Sequence, residues 1–282
     1  MKDFTNKYIF TFISLLIIVV AVVLSLTYLV LKPFQDNNIR IEQMKNILSS
    51  VNVYVDDKKI IEKNFNKYIT DKFVIDYYGN VIENLSPEVL NLKMEIKKLD
   101  KINLLEAKKI SKNKSRATVF FEKFFGKKEI DTIKINQQIE SLLKSLRLPV
   151  YRCKKDSIQY TILALYGKGL WGPIWGYISF YPNYSTVYGV YFDHKSETPG
   201  LGAEINTLKF QKQFNGKNIF IENKLVSIKL IKGNVTNNNY EVNAISGGTI
   251  TSKGLEKMLF DCLSGYYNYL IKEIEKLKLE KQ

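Results

Sequence analysis

The sequence predicts an α+β protein: an N-terminal transmembrane helix, then a domain in which a curved antiparallel sheet packs against helices. Three observations carry this. The 24 residues from Tyr8 to Leu31 hold no charge. Short runs rich in Val, Ile, Tyr and Thr, punctuated by Gly, Pro and Asn, fill the chain from Ile158 to Ile245, as strands joined by turns do. After Ser252, apolar residues from Leu255 to Leu277 recur every three or four positions, which marks one face of a long helix. Composition divides the chain into an anchor (1–33), a helical or mixed membrane-proximal region (34–147) and a β-rich domain (148–282).

The chain of 282 residues is long enough for an anchor and one or two cored domains. Its net charge of +14 raises the question of nucleic acid. The basic residues are nearly all lysines interleaved with Glu and Asp, and no arginine cluster or RNA-binding aromatic signature appears. A solvated lysine-rich surface fits better, with attraction to membrane lipid or an acidic partner second; no nucleic-acid partner is expected. Cys153 and Cys262 fit no metal spacing and read as buried thiols, with one disulfide open to them if the domain lies outside the cytoplasm. His194 is the single histidine, so a His-rich metal site is excluded. No metal ligands and no catalytic acid, base or nucleophile are assigned.

Taken in order, the uncharged stretch exceeds the roughly 20 apolar residues needed to span a bilayer. Tyr8 and Tyr28 lie near its ends, where aromatic rings favour the interface. A cleaved signal peptide would need a shorter apolar core and a small-x-small site, which Ser25 to Lys32 lacks. Lysines on both flanks leave the topology open by charge. Gln35–Val51 reads as a helix leaving the membrane, Asp56–Tyr68 as a second helix, and Lys72–Tyr78 as a strand ended by the turn Tyr78-Gly79-Asn80. Pro87–Leu146 has weak helical periodicity, a β-like piece at Ala117–Phe121, and Lys-Lys pairs that read as solvent faces. The pattern changes at Leu148. Strands follow at Ile158–Tyr166, Ile174–Tyr181, Thr186–Phe192, Lys224–Ile231 and Tyr240–Ile245.

Three glycine-laden loops stand at the strand ends. Ser246-Gly247-Gly248-Thr249-Ile250-Thr251-Ser252-Lys253-Gly254 packs four hydroxyls and three glycines ahead of the long helix. Glycines let a ligand approach the main chain, and a helix N-terminus favours phosphate, so Thr249 carries its hydroxyl where a phosphoryl group is welcome. A plain helix-capping turn is the alternative. Gly167-Lys168-Gly169-Leu170-Trp171-Gly172-Pro173-Ile174-Trp175-Gly176 holds both tryptophans, suited to a planar ring or to a tight hairpin with core tryptophans. Glu197-Thr198-Pro199-Gly200-Leu201-Gly202 offers a carboxylate, a hydroxyl and free amides beside Leu201. Lys232, at a strand end, offers a cation to a phosphate or ring carbonyl, or is simply solvated. Together the loops suggest a pocket for a phosphate and a ring.

In the order and wording of these three motifs, followed through Glu197-Thr198-Pro199-Gly200-Leu201-Gly202-Ala203-Glu204, the chain resembles the NqrC family of sodium-translocating NADH:quinone reductase subunits. The single span and the following Leu31-Lys32-Pro33-Phe34-Gln35 fit it too. The related RnfG family of Rnf-type ferredoxin-dependent complexes shares the domain, but the Gly-Leu-Trp-Gly-Pro-Ile-Trp-Gly run favours the former. The resemblance implies an FMN joined through its phosphate to Thr249, within a motif from which this chain departs at Asn243, Ala244 and Gly248. It implies that Ser246, Gly247, Gly248, Trp171, Glu197, Thr198, Leu201 and Lys232 line the site, which makes 148–282 an FMN-binding domain. It further implies an extracytoplasmic, periplasmic domain anchored in the bacterial inner membrane, a flavin transferase during maturation, and other membrane subunits that handle NADH, sodium and quinone. The absence of a Gly-x-Gly-x-x-Gly fingerprint agrees that NADH does not bind here, and two cysteines are too few for an iron–sulfur cluster. A membrane-anchored structural module without cofactor is the reading from another class.

Overall fold

The computed structural model describes residues 5–111 and 132–280. Helix α1 (Asn6–Ser50) is the one helix long and apolar enough to cross a membrane among the described residues. It runs unbroken through Pro33, so the expected span and the expected exit helix are one rod. Proline removes one intrahelical hydrogen bond, and a long helix absorbs that loss. Helix α2 (Lys58–Tyr68) follows, its N-terminus capped by the Asp57 carboxylate, which accepts from the Lys59 and Ile60 N–H groups at 2.9 and 3.1 Å.

Strand β1 (Ile69–Ile75) turns back through Gly79, at φ 77°, into the short β2 (Val81–Ile82). Helices α3 (Leu92–Ser111) and α4 (Thr132–Ser145) come next. The β-like stretch expected at Ala117–Phe121 and the Lys127-Lys128 pair lie outside the described residues. Lys98 is not a solvent face: its Nζ donates to the Glu95 carboxylate and to the Ser145 carbonyl at 2.7 Å. Then come β3 (Leu148–Lys155), β4 (Ile158–Lys168), β5 (Pro173–Phe180) and β6 (Val187–His194). The short helix α5 (Leu208–Gln211) and the two-residue strands β7 (Phe220–Ile221) and β8 (Lys224–Leu225) precede β9 (Lys229–Ile231), β10 (Glu241–Asn243) and α6 (Thr249–Leu279).

The main sheet has the order β2-β1-β3-β4-β5-β6 and is antiparallel throughout. β1 and β2 come from the segment before residue 148, so the change at Leu148 is one of composition and not a break in the sheet. The expected strand Lys224–Ile231 is two pieces, split where Ser227 sits at φ 59°. The Lys224–Ile231 and Tyr240–Ile245 runs do not join the main sheet; β9 and β10 form a separate parallel pair.

Both faces of the sheet are covered, which is why β4 reads as a continuous apolar run instead of an alternation. Leu163 and Leu165 face a core shared with Leu255, Leu259, Leu263, Tyr266 and Leu270 of α6. Tyr160, Ile162 and Ala164 face the other way, against Ile47, Leu48 and Val51 at the end of α1 and Ile61 and Phe65 of α2. Each leucine buried here contributes about 2 kcal/mol of apolar transfer. Direction adds to this: the Tyr266 hydroxyl donates to the Pro149 and Ala164 carbonyls at 2.9 and 3.3 Å, which sets the height of α6 on β3 and β4.

Cys153 belongs to the α1-side core and Cys262 to the α6-side core. The sheet stands between them, so the disulfide that sequence left open does not form; both are free. Burial pushes the Cys153 thiol up to about 11 and the Cys262 thiol up to about 12. Unfolding the protein in denaturant without reductant therefore releases two titratable thiols per chain; a titre of zero would contradict this placement.

Candidate functional site

The strand ends of β4, β6 and β10 bring the three glycine loops together, and one carboxylate joins them. Glu197 is 4% exposed. Its Oε1 accepts from the Trp171 backbone N–H at 2.9 Å, and its Oε2 accepts from the Thr251 hydroxyl at 2.5 Å. Its own N–H donates to Nδ1 of the half-buried His194 at 3.1 Å, so His194 holds the start of the Glu197 loop. The close fit explains two glycines. A Cβ on Gly169 would lie 2.5 Å from Glu197 Oε1, and one on Gly202 would collide with Thr251 Oγ1 and lie 2.5 Å from Glu197 Oε2.

Helix α6 begins earlier than the sequence suggested. Thr249 is its first residue, so the loop proper ends at Gly248, and no side chain caps the N-terminus. An uncapped N-terminus of a 31-residue helix leaves amide donors and a positive dipole end facing outward. Thr249 is exposed there, whereas Thr251 is buried with its hydroxyl engaged. Gly247, at φ 73°, lies against Leu201, whose Cδ2 would be 2.5 Å from an added Cβ. Gly248 is buried beside Ile245 and the Gly202 amide. Ser246 is exposed on the same turn, and Thr198 is exposed while its carbonyl accepts from the Leu201 and Ala203 amides, both at 3.1 Å.

Apolar side chains stand open on two of the loops and on the first turn of α6. Trp171 is 66% exposed, Ile250 57%, and Leu170 and Leu201 42% each. Lys232 directly follows β9, whose parallel register with β10 pairs Ile231 with Asn243. The Ala244 N–H donates to the Ile231 carbonyl at 2.9 Å, which keeps Lys232 beside Ala244, just ahead of Ser246. Its side chain is exposed. Beyond the Gly169–Leu170 turn, a cavity of about 870 Å³ opens between α3 and α6. It borders Leu170, Ile250, Met258 and Lys97 but not Thr249, Trp171 or Leu201. Cavity and hydroxyl-bearing face are neighbours, not one pocket.

Sequence reasoning missed Ile250 and the structural use of Thr251. Ile250 lies off the buried face of the α6 periodicity, the one signal by which it could have been found. Thr251 gave no signal, because its partner lies 54 positions away.

The FMN-binding domain family matches residues 169–264. The chain is 42% identical over 108 residues to the NqrC protein of Pasteurella multocida, a Na(+)-translocating NADH-quinone reductase component, across 38% of this chain and 42% of that protein. That match spans less than half of its relative. To the corresponding protein of Haemophilus ducreyi it is 27% identical over 87% of this chain and 85% of that one. The crystal structure of the corresponding Parabacteroides distasonis protein superposes with a TM-score of 0.63 and 32% identity, covering 85% of this chain and 96% of that chain.

The Glu197 tie has a measurable worth. Glu197→Ala leaves two donors without acceptors, and a buried orphaned donor costs about 1–3 kcal/mol. The variant is expected to lose about 3 kcal/mol in urea unfolding, and Thr251→Ala about 1–2 kcal/mol; an unchanged midpoint for Glu197→Ala would refute the bridging role.

Proposed function

The chain belongs to the NqrC family of Na(+)-translocating NADH-quinone reductase subunits, and from that membership we propose that it is the covalent flavoprotein electron carrier of such a complex. FMN is held through a phosphoester between its phosphorus and Thr249 Oγ1. The observation that supports this is the exposed Thr249 on the first turn of the uncapped α6, next to Gly247 and its neighbour Leu201 and joined through Thr251 and Glu197 to the Trp171 loop.

The residues present fit the group. The helix N-terminus lacks an acceptor that a phosphate supplies. Gly247 and Gly248 keep the turn free of side chains there, with Ser246 adding a hydroxyl. Trp171 and Leu201 offer apolar faces to the ring, Thr198 a hydroxyl at its edge, and Lys232 a cation for a phosphate oxygen or ring carbonyl. Glu197 acts one step back: both its oxygens are engaged within the protein, so it positions the Trp171 loop and the first turn of α6. The flavin, when bound, supplies one- and two-electron chemistry, and the protein tunes it by hydrogen bonds and burial. A covalent tether keeps the carrier from dissociating in either redox state.

In this reading α1 holds the protein in the bacterial inner membrane, with the domain on the periplasmic side. Other membrane subunits of the reductase take NADH, sodium and quinone, and the chain relays electrons between them. A separate flavin transferase forms the ester. The departure Asn243 is exposed, and its side chain bonds Gln213 Oε1 at 3.2 Å, remote from the Thr249 hydroxyl in role.

The test is in-gel fluorescence of the denatured full chain coexpressed with its flavin transferase. Wild-type bands should fluoresce and Thr249→Ala bands should be dark. Thr251→Ala should keep the flavin on a less stable domain, because its hydroxyl is turned into the protein. A fluorescent Thr249→Ala band would move the attachment elsewhere, and a dark wild-type band of bare-polypeptide mass would remove the carrier proposal.

A further inference from the structure

Helix α1 settles which end of the domain lies nearest the bilayer. Its last turn meets the C-terminal end of β5, where the Ser179 hydroxyl donates to the Ser50 carbonyl at 2.5 Å. Eleven residues earlier, Ile39 lines a cavity together with Tyr166 and Trp175. Strand β5 and the end of α1 therefore run side by side in the same direction, away from the uncharged span. The start of β5, the end of β4 and the end of β6 point back toward it. At 1.5 Å per residue, Ile39 stands only about 12 Å along the axis from Leu31, and the headgroup layer occupies about 5–7 Å of that distance.

That loop end is basic. Lys168 closes β4, Lys195 follows β6, Lys232 follows β9 and Lys253 lies near the start of α6; all four are exposed, and no ion pair engages any of them among the described residues. Three nearby carboxylates accept hydrogen bonds within the protein. Asp193 accepts from the His194 amide, Glu197 is enclosed as described, and Glu256 accepts from the Leu230 amide at 2.7 Å. Among the described residues here, the half-buried Asp193 and Glu204, the exposed Glu42 and Asp100, which lies 3.5 Å from Lys257, stand against these four lysines and against Lys93 and Lys97, which border the same cavity as Lys168. On α1, Lys32 pairs with Asp36 and Arg40 with Glu62, while the exposed Glu42 is in no ion pair among the described residues. The exposed Leu170 lies beside Lys168 on this end.

Given the reading of α1 as a membrane span, we propose that the loop end of the sheet is a lipid-docking face, on which Lys168, Lys195 and Lys253 engage anionic phospholipid headgroups of the bilayer that anchors the chain. The lipid is covalently guaranteed to be near, and its negative surface attracts lysines within a Debye length of about 8 Å. Docking holds the Thr249 hydroxyl and whatever it carries against the membrane surface instead of letting the domain swing on α1.

The test is lysine footprinting of the full chain in vesicles. Chain reconstituted in phosphatidylcholine, or in phosphatidylcholine with about one-third phosphatidylglycerol, is treated with a membrane-impermeant acylating ester and read by peptide mass spectrometry. Lys154, exposed at the opposite end of the sheet, is the internal reference. Acylation of Lys168, Lys195 and Lys253 relative to Lys154 should fall about fivefold in the anionic vesicles and recover at about 0.5 M salt. Equal ratios in the two lipids would overturn the proposal. So would protection that appears only when other subunits are assembled, which would make this face a protein interface. The readout needs no flavin, so a colourless chain would end the carrier reading and leave this one standing.

Discussion

The buried carboxylate of Glu197 is the constraint on which the site depends. Three loops that lie far apart in sequence have no reason to stay in register through their own turn propensities, since each is rich in glycine and conformationally permissive. A single acceptor pair, one oxygen on the Trp171 amide and the other on the Thr251 hydroxyl, converts them into one surface. A buried polar group of this kind is tolerable only when its partners are all present. The surrounding sequence conforms to it: glycine at 169 and 202 where a methyl group would collide with the carboxylate or its partner.

The second constraint is the sheet with two covered faces. Because α6 packs on one side and the end of α1 on the other, the long apolar helix α1 is built into the core at its C-terminal end. Asn46, Ile47 and Leu48 are buried against the sheet while the apolar span earlier in the same helix stays uncovered by protein. The orientation of the domain relative to the anchor is thus a consequence of core packing. It gives the basic loop end a defined direction.

These two constraints meet at the start of α6. The helix is held in height by Tyr266 and in rotation by Thr251, so its first residue is delivered to a fixed point at the rim of the sheet. A threonine at that point is exposed, lies on an uncapped helix end, and is flanked by apolar side chains that the core does not need. The same packing that stabilises the domain presents the hydroxyl.

Much of this was legible in the residues. The uncharged span, the period of the long helix and the strand character of 158–192 follow from one-dimensional patterns, because burial imposes them locally. The glycine- and hydroxyl-rich turn ahead of the long helix was legible as well, whereas its use, to cap the helix or to hold a phosphate, was not. What could not be read was anything that depends on distant pairing. The joining of β1 and β2 to the sheet, the separation of Cys153 from Cys262 by that sheet, and the departure of 224–231 from a single strand all depend on partners elsewhere in the chain. The roles of Thr249 and Thr251 divide for the same reason. Two hydroxyls two residues apart on a helix point about 200° apart, and only the packing of α6 on β4 decides which one faces Glu197 and which faces out.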